Sequence, residues 1–142
     1  MITPVRHKRG ILNTNTVIQL RRIEDPSLLP EELLITAVTL AELTVGPLVA
    51  HSDEDRAARQ AHLQQAEADF EPLPFDAKAA RAFGQVAAAF RRSGRKTSAR
   101  SYDAMIAATA IANELPLYTC NPADFSDIPG LDVVTISLPA TP

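Results

Sequence analysis

Short apolar runs alternate along this chain with longer stretches in which apolar positions recur every three or four residues. The first run, residues 10–12 (GIL), leads into the polar cluster Asn13, Thr14, Asn15, Thr16, which can cap a helix starting near Val17. A second strand-length run is Leu33, Leu34, Ile35, Thr36. Thr39, Leu40, Ala41, Glu42 then fits the T-x-x-E capping box, in which the two side chains satisfy opposite free N–H groups of a helix start. Gly46 and Pro47 interrupt that helix, and Ser52, Asp53, Glu54, Asp55 begin another. This one is polar to about Phe70, with Ala57, Ala61 and Ala66 as a thin stripe of small residues. Leu73, Pro74, Phe75 reads as a weak edge strand. Asp76 caps a helix to about Arg92 in which Ala79, Phe83, Val86, Ala87 and Phe90 share a face, and Gly94 suits its end. Residues 95–100 form a basic loop. Ser101, Tyr102 and Asp103 open the most apolar helix, 104–113, whose small residues on nearly every side place it in the interior. Strands at 115–119 and 133–136 flank the Asn121–Pro122 turn and a short helical turn at 123–125; Pro139 and Pro142 mark a tail.

Strands alternating with helices through short connections predict an α/β domain, a mostly parallel sheet of about five short strands covered on both faces. At 142 residues with 46% hydrophobic residues the chain suits one domain, 1–142, with short tails at about 1–8 and 138–142. Few aromatics and many Ala and Leu residues predict an aliphatic core with closely approaching helices.

A net charge of -3 argues against nucleic-acid binding by the bulk field of the domain, so any such contact must be local. Two basic patches qualify: Arg6, His7, Lys8, Arg9, and the segment containing Arg91, Arg92, Arg95, Lys96 and Arg100. The single cysteine, Cys120, excludes an internal disulfide and fits a reducing compartment. No segment approaches the length of an apolar membrane span and the first ten residues lack a signal-peptide core, so a cytoplasmic protein is expected. His7, His51 and His62 are too scattered for a zinc set, and there is no P-loop or dinucleotide fingerprint.

Four polar positions fall just after predicted strands or at helix starts beside them: Asn13, Glu42, Asp103 and Asp124. Taken singly each has an ordinary structural role, as cap, capping-box partner, dipole complement or turn residue. Parallel topology can bring all four to one edge of the sheet, where carboxylates repel unless a cation sits among them. Hard oxygen donors of this kind suit Mg²⁺ or Mn²⁺, which can support in-line displacement at a phosphodiester.

The blocks ILNTNTVI, VTLAELTVG, SYDAMIAATA and YTCNPADF, in that order, resemble the signature blocks of the PIN-domain ribonucleases, and specifically the VapC toxins of bacterial and archaeal toxin–antitoxin pairs. The resemblance runs from residue 11 to residue 125. It implies a PIN-like three-layer α/β/α fold and a Mg²⁺- or Mn²⁺-dependent endoribonuclease acting on an RNA such as tRNA or rRNA. It also implies a homodimer, inhibited by a VapB-type antitoxin whose C-terminal segment enters the active-site groove. Carried over by position, Glu42 and Asp103 match acidic metal-site residues. Thr119, Asn121, Asp124 and Phe125 match the pattern T-x-N-x-x-D-F, in which Asn121 or Asp124 faces the metal. Thr14 and Asn15 match supporting polar positions.

Asn13 departs from the pattern, which has Asp there. Asn is nearly isosteric but neutral, so metal affinity falls and water is less readily deprotonated; the resemblance therefore predicts a copy that cuts poorly or not at all. RNA contact would fall to Arg91, Arg92, Arg95, Lys96 and Arg100, which lead into the helix bearing Asp103. Two other readings stand beside this one. One is a PIN-like module that binds RNA or antitoxin without cutting. The other is a haloacid-dehalogenase-like phosphatase, whose D-x-D-x-T/V motif Asn13 to Val17 imitates with both acids missing.

Overall fold

The computed structural model describes residues 7–96 and 100–139. Arg6, residues 97–99 of the basic loop and the last three residues of the tail lie outside them. Four strands form one parallel sheet: β1 (Arg9–Leu12), β2 (Glu32–Leu34), β3 (Leu117–Thr119) and β4 (Val133–Thr135). Their order is β2-β1-β3-β4. The helices are α1 (Thr14–Ile18), α2 (Ala37–Val45), α3 (Asp53–Asp69), α4 (Ala77–Arg92) and α5 (Ser101–Ala112).

Alternation along the strands divides the core. Ile11, Leu34, Leu117 and Val133 face one side, where α4 and α5 pack through Val86, Ala89, Phe90, Ala104, Ala107 and Ala108. Leu12, Leu33, Tyr118 and Val134 face the other, against Val17 of α1 and the loop residues Leu20, Ile23 and Leu29. Because successive side chains of a strand point to opposite faces, runs of two or three apolar residues are required wherever both faces are covered. Gly10 allows the close approach of the two central strands, since a Cβ there would stand 2.6 Å from the Tyr118 ring.

Among the described residues there are four strands, against about five expected. Leu73 makes only an isolated parallel bridge to Thr36, with Leu73 N–H donating to Ile35 O at 2.9 Å and Ala37 N–H to Leu73 O at 2.7 Å. Pro74 follows at once and has no N–H to extend the ladder. Helix α1 begins at Thr14 rather than near Val17, so Asn13 is its N-cap residue. The capping box read at Thr39 is also corrected. Thr36 is the N-cap of α2, accepting from Thr39 N–H at 3.1 Å, and Glu42 lies within the helix. With Thr rather than Glu three residues after the cap, the reciprocal bond is not made and Glu42 is released from any capping role.

The chain leaves β1 for β2 on one side and later returns to β3 on the other. The crevice between the carboxyl ends of β1 and β3 is therefore the switch point of the sheet, where open α/β folds bind ligands. Among the described residues no helix is long and apolar enough to cross a membrane.

Candidate active site

Asn13 follows β1 at this crevice and is buried. Its Oδ1 accepts from the Thr16 hydroxyl, which in turn accepts from Cys120 N–H at 3.0 Å, the first residue past β3. Thr16 thus ties the ends of the two central strands together. With Thr16 donating to Oδ1, that oxygen keeps one further lone pair, and the amino group offers the crevice only donors.

Thr14, one residue on, donates to Glu42 Oε1 at 2.6 Å, and its hydroxyl lies 3.0 Å from that of Thr39. A hydroxyl carries one proton, and the short bond to the carboxylate takes it. Helix α1 therefore aims Glu42, which α2 carries to the edge from the β2 side. Asp103 arrives from the first turn of α5 and Asp124 from the short helical turn Pro122–Phe125 after β3. Arg100 joins them: its Nη1 lies 2.7 Å from Asp124 Oδ1 and 3.6 Å from Asp103 Oδ2. Asn15 donates to Asn121 Oδ1 at 2.6 Å across the crevice mouth, and buried Thr119 accepts from Asn121 N–H at 2.9 Å.

The electrostatics single out two acids. Burial pushes the Glu42 carboxyl above its ordinary value, against the lowering effect of the Thr14 bond, and the charge of Asp103 raises it further. Asp103 is also raised, first by burial and then by Asp124, with Arg100 and Arg95 opposing. Asp124 holds the Arg100 guanidinium above its own ordinary value. Two half-buried carboxylates that disfavour their own charge mark a place where added positive charge would be stabilised. Among the described residues, no three Asp, Glu, His or Cys side chains stand together as a preformed metal set. The hard oxygen donors nevertheless fit a divalent cation, with Glu42 and Asp103 at its centre.

The expected site residues are thus brought to one edge, but the basic group is divided. Arg95 turns inward. The end of α4 is closed by Gly94 at φ 79°, with Arg95 N–H donating to Phe90 O at 2.9 Å and Gly94 N–H to Arg91 O at 3.2 Å. This turn lays Arg95 over the Phe90 ring, 4.4 Å from its centroid, and sends Nη1 to Asp124 O at 2.9 Å and Nη2 to Ser126 O. Arg95 is a clamp on the Asp124 turn rather than a free phosphate ligand, whereas Arg91, Arg92 and Lys96 are exposed. Arg95→Ala is expected to lower stability by roughly 1–2 kcal/mol in thermal melts, since it removes two hydrogen bonds and a cation–π contact. Arg91→Ala with Arg92→Ala should leave the melt unchanged while weakening RNA binding and lowering its salt slope by about 1 for each phosphate no longer neutralised. Unchanged salt dependence would remove both from the RNA surface.

The sequence reading missed Thr16 and Thr39. Thr16 lies within the polar block after β1, and its role depends on a contact with Cys120, far along the chain.

A family model described as a PIN domain matches residues 13–131. Ribonuclease VapC5 of Mycobacterium tuberculosis is 39% identical over 129 residues, covering 89% of this chain and 93% of that protein. Ribonuclease VapC4 of the same organism is 30% identical over 131 residues, covering 91% and 98%. Among solved structures, VapBC-5 from M. tuberculosis, a member of the VapBC family of toxin-antitoxin systems, is similar with a TM-score of 0.76. That match has 34% sequence identity and covers 91% of this chain and 99% of the matched chain.

Proposed function

This chain belongs to the PIN-domain family and within it to the VapC ribonucleases, and on that premise we propose that it hydrolyses RNA phosphodiesters at the Asn13–Glu42–Asp103 edge with a divalent cation. The observation that supports this reading most is the pair Glu42 and Asp103, both half-buried at the switch point and both raised in pKa. Glu42 and Asp103 would hold Mg²⁺ or Mn²⁺, with Asn13, Asp124 and Asn121 around them. Such an ion supplies charge stabilisation for a leaving oxygen and a more acidic water.

The chain's own groups have distinct tasks. Thr14 fixes the rotamer of Glu42 and keeps one of its oxygens engaged, so that the other is the one presented. Thr16 and Cys120 N–H fix Asn13 and hold the crevice walls in register. The Asn15–Asn121 bond narrows the mouth through which RNA enters. Arg91, Arg92 and Lys96 line the approach with positive charge. Asn13 contributes no charge, so cleavage by this chain is weak.

A VapB-type antitoxin and a second copy of the chain complete the proposed assembly. A groove of about 650 Å³ between α1, the turn Leu20–Arg22 and α3 is lined by Val17, Leu20 and Phe70 together with Arg21, His62 and Asp69, and suits an amphipathic segment of the antitoxin. The phosphatase alternative has no support from the fold family. The reading is tested by stripping the purified chain with EDTA, resupplying Mn²⁺ and following a structured RNA. Slow cleavage that returns with Mn²⁺ is expected, and cleavage at full rate in EDTA would overturn metal dependence.

A further inference from the structure

Arg100 stands where the acidic edge calls for a cation, and it belongs to the chain itself. It precedes α5, the helix that carries Asp103, and reaches across to Asp124, 24 residues on, with Nη1 at 2.7 Å from Oδ1. The same nitrogen is 3.6 Å from Asp103 Oδ2. One guanidinium therefore draws on two of the carboxylates of the edge. Asp124 does not need Arg100 to be held in place, because Arg95 independently fixes its backbone carbonyl and that of Ser126. The Arg100 contact acts on the carboxylate and leaves the turn that carries it to Arg95.

The charge balance gives this contact a consequence. Asn13 is neutral and the single guanidinium offsets one of the two charges of Asp103 and Asp124, while its Nη1 faces an oxygen of each and Thr14 engages one oxygen of Glu42. A divalent ion would have to compete with Arg100 for the same carboxylate oxygens. With the guanidinium withdrawn, Glu42, Asp103 and Asp124 together offer the charge that such an ion requires. The pairing is exposed enough to open without unfolding, the Arg100 and Asp124 side chains being 39% and 36% accessible.

We propose that Arg100 is an internal counter-cation: it holds Asp124 and Asp103 in the metal-free chain, competes with a divalent cation for them, and is displaced when the cation binds. It is a positioning residue that sets how much metal is needed to fill the site. This inference rests on the reading of the edge as a cation site, and its test separates the two. Titration calorimetry with MnCl₂ and no RNA compares the chain, Arg100→Gln and Arg100→Lys. Arg100→Gln is expected to bind Mn²⁺ about tenfold more tightly, a typical coupling between competing ligands, and Arg100→Lys to stay near the parent. Parent binding with no gain in Arg100→Gln overturns the counter-cation and leaves the cation site standing. Absence of Mn²⁺ binding in all three at millimolar concentration overturns both. A second measurement needs no variant: the Arg100 Nε–H NMR resonance of the parent chain should shift as Mg²⁺ saturates the protein, and a resonance that stays fixed while metal binds refutes displacement.

Discussion

Asn13→Asp is expected to raise Mn²⁺-dependent RNA cleavage by roughly 10²-fold, the scale on which changes to ligands and their immediate supports alter metal sites. The reason lies in one atom. Asn13 is neutral: its Oδ1 already accepts from Thr16, and its other terminus is an NH₂ with no lone pair for a cation. In the Asp variant the Thr16 bond is retained and the second oxygen carries negative charge into the crevice. The same change adds a buried charge beside acids already raised by burial, so the metal-free variant should melt lower than the parent, and Mn²⁺ should restore it. Cleavage and metal-dependent melting are measured on the same preparation. Faster cleavage without any Mn²⁺-induced rise in melting temperature would contradict this account of Asn13.

Glu42→Gln should move stability and activity in opposite directions. Burial and the charge of Asp103 hold the folded-state pKa of Glu42 above its ordinary value of 4.5. The native state then binds more protons than the unfolded one between the two values, so stability falls as pH rises through that window. At neutral pH the ionised Glu42 is therefore a liability of the metal-free fold. Gln keeps the acceptor for Thr14 and removes the charge, and should raise the melting temperature in EDTA by about 2 °C, on a scale of ~2–4 °C per kcal/mol. Below about pH 4.5, where Glu42 is protonated in both states, the difference should close. Cleavage should be lost at every pH. A variant that melts lower than the parent at neutral pH would show that Glu42 is a structural cap or ion-pair partner and not a strained site acid.

Much of this was legible in the chain. The stripe Ala79, Phe83, Val86, Ala87, Phe90 and the Asp76 cap give α4 its bounds, because a long amphipathic period and a side-chain cap are local properties, although the fold buries Ala89 rather than Ala87. Ser52 and the acids after it do the same for α3. The parallel sheet and the edge at Asn13 follow from alternation of elements; the strand order does not. What was not legible depends on contacts between distant segments. Two threonines three residues apart compete to cap α2, and the choice of Thr36 follows from its bridge to Leu73, invisible locally. Arg95 and Arg100 sit in one basic run and look alike, yet the Gly94 turn sends Arg95 onto Phe90 and two carbonyls while Arg100 faces the acids. Composition groups both as RNA contacts; their partners in the fold lie 24 to 31 residues away, beyond the reach of a local reading.

Asn13, Glu42 and Asp103 are proposed as the edge at which RNA is cut. A single assay decides it: cleavage of a structured RNA by the chain, by Asn13→Asp, and by Asn13→Asp combined with Glu42→Gln, each in Mn²⁺ and in EDTA. Weak cleavage by the chain, strong cleavage by Asn13→Asp in Mn²⁺ alone, and none by the double variant are expected. Contradiction would come from Asn13→Asp binding the RNA without cutting it, as a non-catalytic module does, or from cleavage that survives Glu42→Gln or EDTA.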